Sequence, residues 1–256
     1  MDCLCVLNHL RSIQCIVDCS PLMLLVVQTL LQWSFWQAQW EEYYTGILPH
    51  ASGNIGVTET NYGIGLWSIL TGISGRQVYD KSLFSSKSIS NVQIKHLFFG
   101  GWVLLSSTLI ILSWIRVYRH IMTTTKKDKI RLFASAMSKF LSPLLLSLVS
   151  LWGFGDSTYN HGSLSLGLCF CLITIKLIVY SMAKMAYAVI QYDIIPFITV
   201  VVFMKNNTVA DVHQLFRLLD LFYLSRLLYW IHKAIKQLCK RLKIRLLRIP
   251  YDKKSN

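Results

Sequence analysis

From residue 21 onward the chain alternates long apolar runs with short polar clusters. Most runs have the length and greasiness of a membrane helix, the spanning form in which every backbone group bonds within its own segment. The first predicted span is Pro21 to Gln39, and loop 1 follows from Glu41 to Asn61. The second is Tyr62 to Tyr79, rich in glycine at 63, 65, 72 and 75, which would let a neighbouring helix approach closely. Loop 2, Asp80 to His96, leads to a third span at Leu97–Ile115. The basic loop 3, Arg116 to Lys139, precedes a fourth at Phe140–Phe154, where Pro143 kinks the helix or sets its first turn. Loop 4 is Gly155–Gly162, span five Ser163–Met182, and loop 5 Ala183–Tyr192. Span six, Asp193–Met204, is short. Loop 6 ends at His213, and span seven is Gln214–Ile235. The expected fold is therefore all-α and polytopic, with about seven transmembrane helices. Residues 1–20 form a short lead-in, 21–235 the helical membrane domain and 236–256 a basic tail. No alternating short strands, internal repeat or low-complexity linker interrupts the pattern.

Composition agrees, with 54% hydrophobic and only 15% charged residues, too little charge for an ordinary soluble chain of 256 residues. The net charge of +14 taken alone would allow nucleic-acid binding, but the lysines and arginines sit between apolar runs and in the tail. The expectation is cytosolic loops beside anionic lipid, with no nucleic acid. Lysines and arginines are densest in loop 3 and the tail, which alternation places on one face with loops 1 and 5. That face is expected to be cytosolic, with a cytosolic C-terminus and a lumenal start. A lumenal start without a signal peptide reads as the continuation of earlier spans. Asn206-Asn207-Thr208 is a glycosylation sequon on the lumenal side, expected to be unused so close to the membrane. Lys253 and Lys254 near the end fit either a retrieval signal for the endoplasmic reticulum or a basic tail meeting lipid. Seven cysteines give neither a disulfide framework nor a paired zinc spacing. Cys169 and Cys171 read as small membrane residues.

Candidate chemistry concentrates at Trp40-Glu41-Glu42-Tyr43-Tyr44-Thr45-Gly46-Ile47-Leu48, at the end of the first span. Two of the chain's three glutamates are adjacent here. They are either solvated charges at a helix end, or one of them is a base or cation ligand. Neighbouring helical positions do not share a face, so at most one enters a site. Glu59 could approach from the far end of the loop. Trp33, Trp36 and Trp40 read as an interfacial aromatic belt. Lys176 inside span five must face the bundle or snorkel, meeting a phosphate or pairing with Asp220 or a carbonyl. In span seven Arg217 and Asp220 can pair on one face, and with Arg226 they mark a helix lining a polar interior. His213 and His232 read as interfacial. No P-loop, H-E-x-x-H or Ser-His-Asp arrangement occurs.

Trp40-Glu41-Glu42-Tyr43, Thr45-Gly46-Ile47-Leu48 and Val57-Thr58-Glu59 together resemble the eukaryotic choline and ethanolamine phosphotransferases, which carry W-E-x-Y-x-T-G-x-L followed by a V-T-E-like turn. Leu141-Ser142-Pro143 resembles their F-S-P turn. Leu177-Ile178-Val179 with Met182 resembles their L-I-V-x-x-M segment, and Lys236-Gln237-Leu238 has a counterpart. The ordered set runs from about residue 21 to the end, slightly closer to the ethanolamine branch. The resemblance implies phospholipid biosynthesis in the endoplasmic reticulum or Golgi: transfer of phosphoethanolamine or phosphocholine from CDP-ethanolamine or CDP-choline to diacylglycerol. It implies Mg2+ or Mn2+ as cofactor, membrane lipids as partners, and leaves a homodimer open. It implies that Trp40, Glu41, Tyr43, Thr45, Gly46, Thr58 and Glu59 shape a substrate chamber. The family signature D-G-x-x-A-R…G-x-x-x-D-x-x-x-D, which holds the metals and the catalytic base, is absent, so the chain as it stands is expected to be inactive. It thus reads as the C-terminal part of such an enzyme, with a non-catalytic paralogue or a seven-span receptor or carrier as alternatives.

Overall fold

The computed structural model describes residues 12–14, 16, 17, 19–48, 51, 52, 55–86, 89–124, 128–154, 159–206 and 211–242. Among the described residues eight helices form the body: α1 Pro21–Thr45, α2 Val57–Ser74, α3 Ile94–Thr124, α4 Lys129–Ser138, α5 Leu141–Gly153, α6 Tyr159–Met182, α7 Ile195–Asn206 and α8 Val212–Leu242. Two small antiparallel ribbons interrupt the all-helical expectation. β1 Ala51–Ser52 pairs with β2 Ile55–Gly56, and β3 Ser82–Ser86 pairs with β4 Ile89–Gln93. The second ribbon occupies predicted loop 2. Short 3-10 turns lie at Arg76–Asp80 and Tyr192–Ile194.

Among the described residues three segments are long and apolar enough to cross a membrane: Ile94–Thr124, Lys129–Gly153 (α4 with α5) and Asn160–Met182. The protein is thus a helical membrane protein. Large apolar side chains face outward on α3, among them Leu104, Leu105 and Ile111, and on α8, among them Leu218, Leu221 and Leu228. Lipid, and not water, is the solvent such surfaces fit.

Local signals explain where α1 begins. Ser20 caps it, accepting from the Met23 amide, and Pro21 sits where its missing N–H costs nothing. The helix does not stop at Gln39. It runs on to Thr45, so the residues assigned to the start of loop 1 are its last two turns. Most of predicted loop 3 is helical as well. Its basic residues extend α3 and then line the short α4, where Ile130 and Arg131 are exposed while Ala136 is buried. Helix α8, the predicted seventh span, likewise continues past Ile235 to Leu242.

The cross-helix bonds fix relative directions. Gln37 of α1 donates to the Ile110 carbonyl and Glu41 meets Arg116, so α1 and α3 run parallel. Trp33 donates to Ser147 while Trp40 donates to the Ala136 carbonyl, so α4 and α5 run against α1. Gln28 donates to the Ser163 carbonyl at the start of α6. The ends of α1, α3 and α6 and the start of α5 therefore gather at one end of the bundle, here called the Glu41 end.

The tryptophans are not a lipid-facing belt. Trp36 and Trp40 are buried, and Trp33, Trp36, Trp40 and Trp114 all pack on the ring of Phe140, with centroids 4.7–5.6 Å away. Phe140 sits at the junction of α4 and α5, so this stack holds the fold's central turn. The glycines of predicted span two also differ from expectation. A Cβ built at Gly63, Gly65, Gly72 or Gly75 meets nothing within 4 Å. Close approach falls elsewhere, at Gly153, where a Cβ would lie 2.0 Å from Val201 Cγ1. That contact needs glycine.

Candidate functional site

The Trp40–Gly46 segment is built as a helix terminus. Trp40 is fully buried, and its indole N–H donates to the Ala136 carbonyl at 3.0 Å. Glu41 is buried too, and Arg116 of α3 grips it through both nitrogens of one edge: Nε to Oε1 at 2.6 Å and Nη2 to Oε2 at 2.7 Å. Such a fork-to-carboxylate pair is the strong form of ion pair. Glu41 is therefore neither a solvated charge nor a free base. Glu42, its neighbour, is only partly buried, as the helical period requires.

Thr45 turns back to donate to the Glu41 carbonyl at 2.8 Å. Gly46 then adopts φ +73° and sends its N–H to the Glu42 carbonyl at 2.8 Å, closing the helix. The Thr-Gly pair is thus a stop signal, since the left-handed conformation favours glycine. Tyr43 reaches sideways, donating from Oη to the Met185 carbonyl at 2.8 Å and accepting the Tyr187 amide at 3.3 Å. Over its ring stands the ammonium of Lys139, 4.1 Å from the centroid, with the Tyr44 ring 5.0 Å away. This geometry is cation–π attraction. The backbones of Thr58 and Glu59 lie in the first turn of α2, and their side chains fall outside the described residues. The lysine pair near the C-terminus and the Asn207-Thr208 half of the sequon also fall outside them.

The stretch Ala183–Gln191, predicted loop 5, is a strap across the Glu41 end. Ser142 at the start of α5 clamps its far side, donating to the Val189 carbonyl at 3.0 Å and accepting the Gln191 amide at 2.9 Å. Between the two clamps Tyr187 points inward and donates to the Ile173 carbonyl of α6 at 3.1 Å. Burial pushes the Tyr187 phenol well above its ordinary pKa, so it remains a proton donor. Ile173 lies nine residues before the end of α6, about 13 Å back along the helix. The strap therefore folds back into the bundle, and does not loop away from it.

The strap delivers a second polar cluster. Asp193, in the 3-10 turn ahead of α7, pairs through Oδ2 with Lys176 of α6 and through Oδ1 with Arg226 of α8 at 3.0 Å. Tyr223 donates to the Asp193 carbonyl at 2.8 Å and accepts the Phe197 amide at 3.1 Å. The sequence leaves Lys176 to meet a phosphate or to pair with Asp220 or a carbonyl, and lets Arg217 pair with Asp220. In the fold Asp220 instead accepts from Ser165 of α6, and Arg217 is exposed.

The family resemblance implies two divalent metals, and the described residues do not fit them. Among them no three His, Cys, Asp or Glu side chains converge. The aspartates are dispersed: Asp80 pairs with Lys95, Asp211 caps the Gln214 amide, and Asp193 and Asp220 are engaged as above. What the arrangement offers is fixed positive charge beside buried carboxylates, suited to holding anions in place.

The fold and this pair of clusters define a helical membrane protein with a polar, strapped end. Compared with known families and with curated proteins, the chain matches no family model and no individual protein.

Proposed function

We propose that the chain serves phospholipid biosynthesis as the lipid-embedded helical part of a CDP-alcohol phosphotransferase, a transferase of the endoplasmic reticulum or Golgi that moves phosphoethanolamine or phosphocholine to diacylglycerol. On this reading the bundle spans about seven times, with the Glu41 end and the C-terminus in the cytosol. The observation that carries the reading is the Trp40–Gly46 segment. The residues of this segment, the first on which the resemblance rests, form one interlocked unit at the Glu41 end of the bundle, where a headgroup would enter from the lipid surface. Their role is architectural: Trp40 and Glu41 bind α1 to its neighbours, Tyr43 holds the strap, and Thr45 and Gly46 end the helix.

Catalysis is not assigned to these residues, because Glu41 is neutralised by Arg116 and no donor set for Mg2+ or Mn2+ assembles among the described residues. The same observation favours a second reading, a non-catalytic paralogue or carrier that keeps the lipid-facing architecture alone. Two measurements separate them. Membranes containing this chain in a host without endogenous activity are expected to make no product from CDP-ethanolamine or CDP-choline, and robust turnover would refute the assignment of a non-catalytic role. A chimera carrying residues 21–242 in place of the matching helices of an active ethanolamine phosphotransferase is expected to keep turnover. A chimera that inserts correctly yet is inert removes the family reading.

A further inference from the structure

We propose that Lys176, Asp193 and Arg226 form an anion site within the bundle that takes a phosphate group, with Arg226 as the ligand-facing residue. The first observation is charge balance. Two cations share one carboxylate, whose two oxygens are each taken by one of them. Ionisable groups at membrane depth are costly, and a surplus cation there calls for an anion. Asp193 is more than nine-tenths buried, and Lys176 is largely buried too. The side chain of Arg226 remains about half exposed. Arg226 commits only Nη2 to Asp193, and among the described residues its Nε and Nη1 have no further partner. Those two nitrogens lie on different edges of the guanidinium, and each keeps N–H donors for a phosphate oxygen.

The second observation is the interruption of the helices. After α6 ends at Met182, the non-helical strap folds back beside it, and α7 begins only at Ile195 and runs for 12 residues. That length is about 18 Å, short of the roughly 30 Å of a hydrocarbon core. Irregular backbone at such depth is tolerated where it is buried in protein or lines a polar cavity, and broken helices commonly mark binding sites in membrane proteins. Asp193 stands at this break, and the Tyr223 hydroxyl pins the turn by bridging Asp193 and Phe197. The carboxylate acts as a holder that orients Arg226. The proposal does not depend on the transferase reading, since a carrier or a transferase could hold a phosphate here.

The phosphate could belong to a lipid or be free in solution, and one experiment treats both. The full chain in nanodiscs is examined by native mass spectrometry with dioleoyl phosphatidic acid and with dioleoylglycerol, which differ only in the phosphate. Preferential retention of phosphatidic acid is expected. Arg226→Gln leaves Lys176 and Asp193 balanced one to one, so it should fold, with thermal unfolding as the check, and should weaken retention about tenfold. Arg217→Gln, an exposed arginine on the same helix, should leave retention unchanged. Displacement of the lipid by millimolar inorganic phosphate identifies a free-phosphate site, and persistence identifies a lipid headgroup site. Equal retention of dioleoylglycerol, an unaffected Arg226→Gln variant, or equal losses for Arg217→Gln and Arg226→Gln would each overturn the proposal.

Discussion

Glu41 and Arg116 lie 75 residues apart in sequence and meet edge to edge, two nitrogens on two oxygens at 2.6 and 2.7 Å. The pair is lopsided, because the carboxylate is buried while the Arg116 side chain is about half exposed. Removing the arginine strands a buried charge, whereas removing the carboxylate returns a guanidinium to its surroundings. Arg116→Met is therefore expected to destabilise by about 3 kcal/mol and Glu41→Gln by about 1–2 kcal/mol. The double variant should be more stable than the sum of the two losses implies. Thermal unfolding of the four proteins in one detergent checks both the order and the coupling.

Trp40 combines full burial with a hydrogen bond to Ala136 and a ring contact with Phe140. Trp40→Ala should cost about 3–5 kcal/mol, in the range of other aromatic truncations in cores. Trp40→Phe keeps most of the packing and leaves the carbonyl unpaired, so about 1–2 kcal/mol is expected. Near-equal losses for the two would show that the hydrogen bond, and not the ring, dominates.

At Gly46 the cost of a side chain is purely conformational. The φ is +73°, and a Cβ would meet nothing within 4 Å. Gly46→Ala should then lose about 1 kcal/mol and Gly46→Asn less, because asparagine enters the left-handed region more readily. A loss above about 3 kcal/mol for Gly46→Ala would point to crowding that this geometry lacks.

The strap has one clamp at each end, Tyr43 on Met185 and Tyr187, Ser142 on Val189 and Gln191. Tyr43→Phe or Ser142→Ala should speed amide exchange over 183–191 by about tenfold while leaving α1 and α6 protected. Exchange that accelerates throughout the bundle instead would mean that the clamps support the whole fold.

The proposed orientation places the tail in the cytosol, on the side richer in lysine and arginine. A tag after Asn256 should be digested by protease added outside sealed microsomes. Protection of the tag would reverse the orientation and put the Glu41 end in the lumen.

The sequence announced its helices well, because a membrane helix must carry its apolar character locally. It placed their ends poorly. Glu41 to Thr45 and the stretch from Arg116 to Arg119 are polar enough to read as loop, yet both helices continue through them, and Glu41 and Arg116 neutralise each other from one helix to the other. Partner choice was the least visible. For Lys176 the sequence offered Asp220, a carbonyl or a phosphate, and only the fold-back of the strap brings Asp193 to it. Arg116 carried no local mark at all. Glycine content also misled, since Gly63, Gly65 and Gly72 are open whereas Gly153 and Gly162 are pressed against neighbours.

Helix α1 holds Gln28, Gln37 and Glu41 in buried positions, and the groups that satisfy them arrive between 73 and 135 residues later in the chain. The bonds of Trp33 and Trp40 fall within that same interval. As the chain emerges from the ribosome, this helix is complete before any of those groups has been made. Released alone into lipid it would carry bare amides and a carboxylate among acyl chains. Its stable packing thus waits on the synthesis of α3 through α6, and a ribosome stalled after α2 should leave it exposed to chaperones and quality-control proteases.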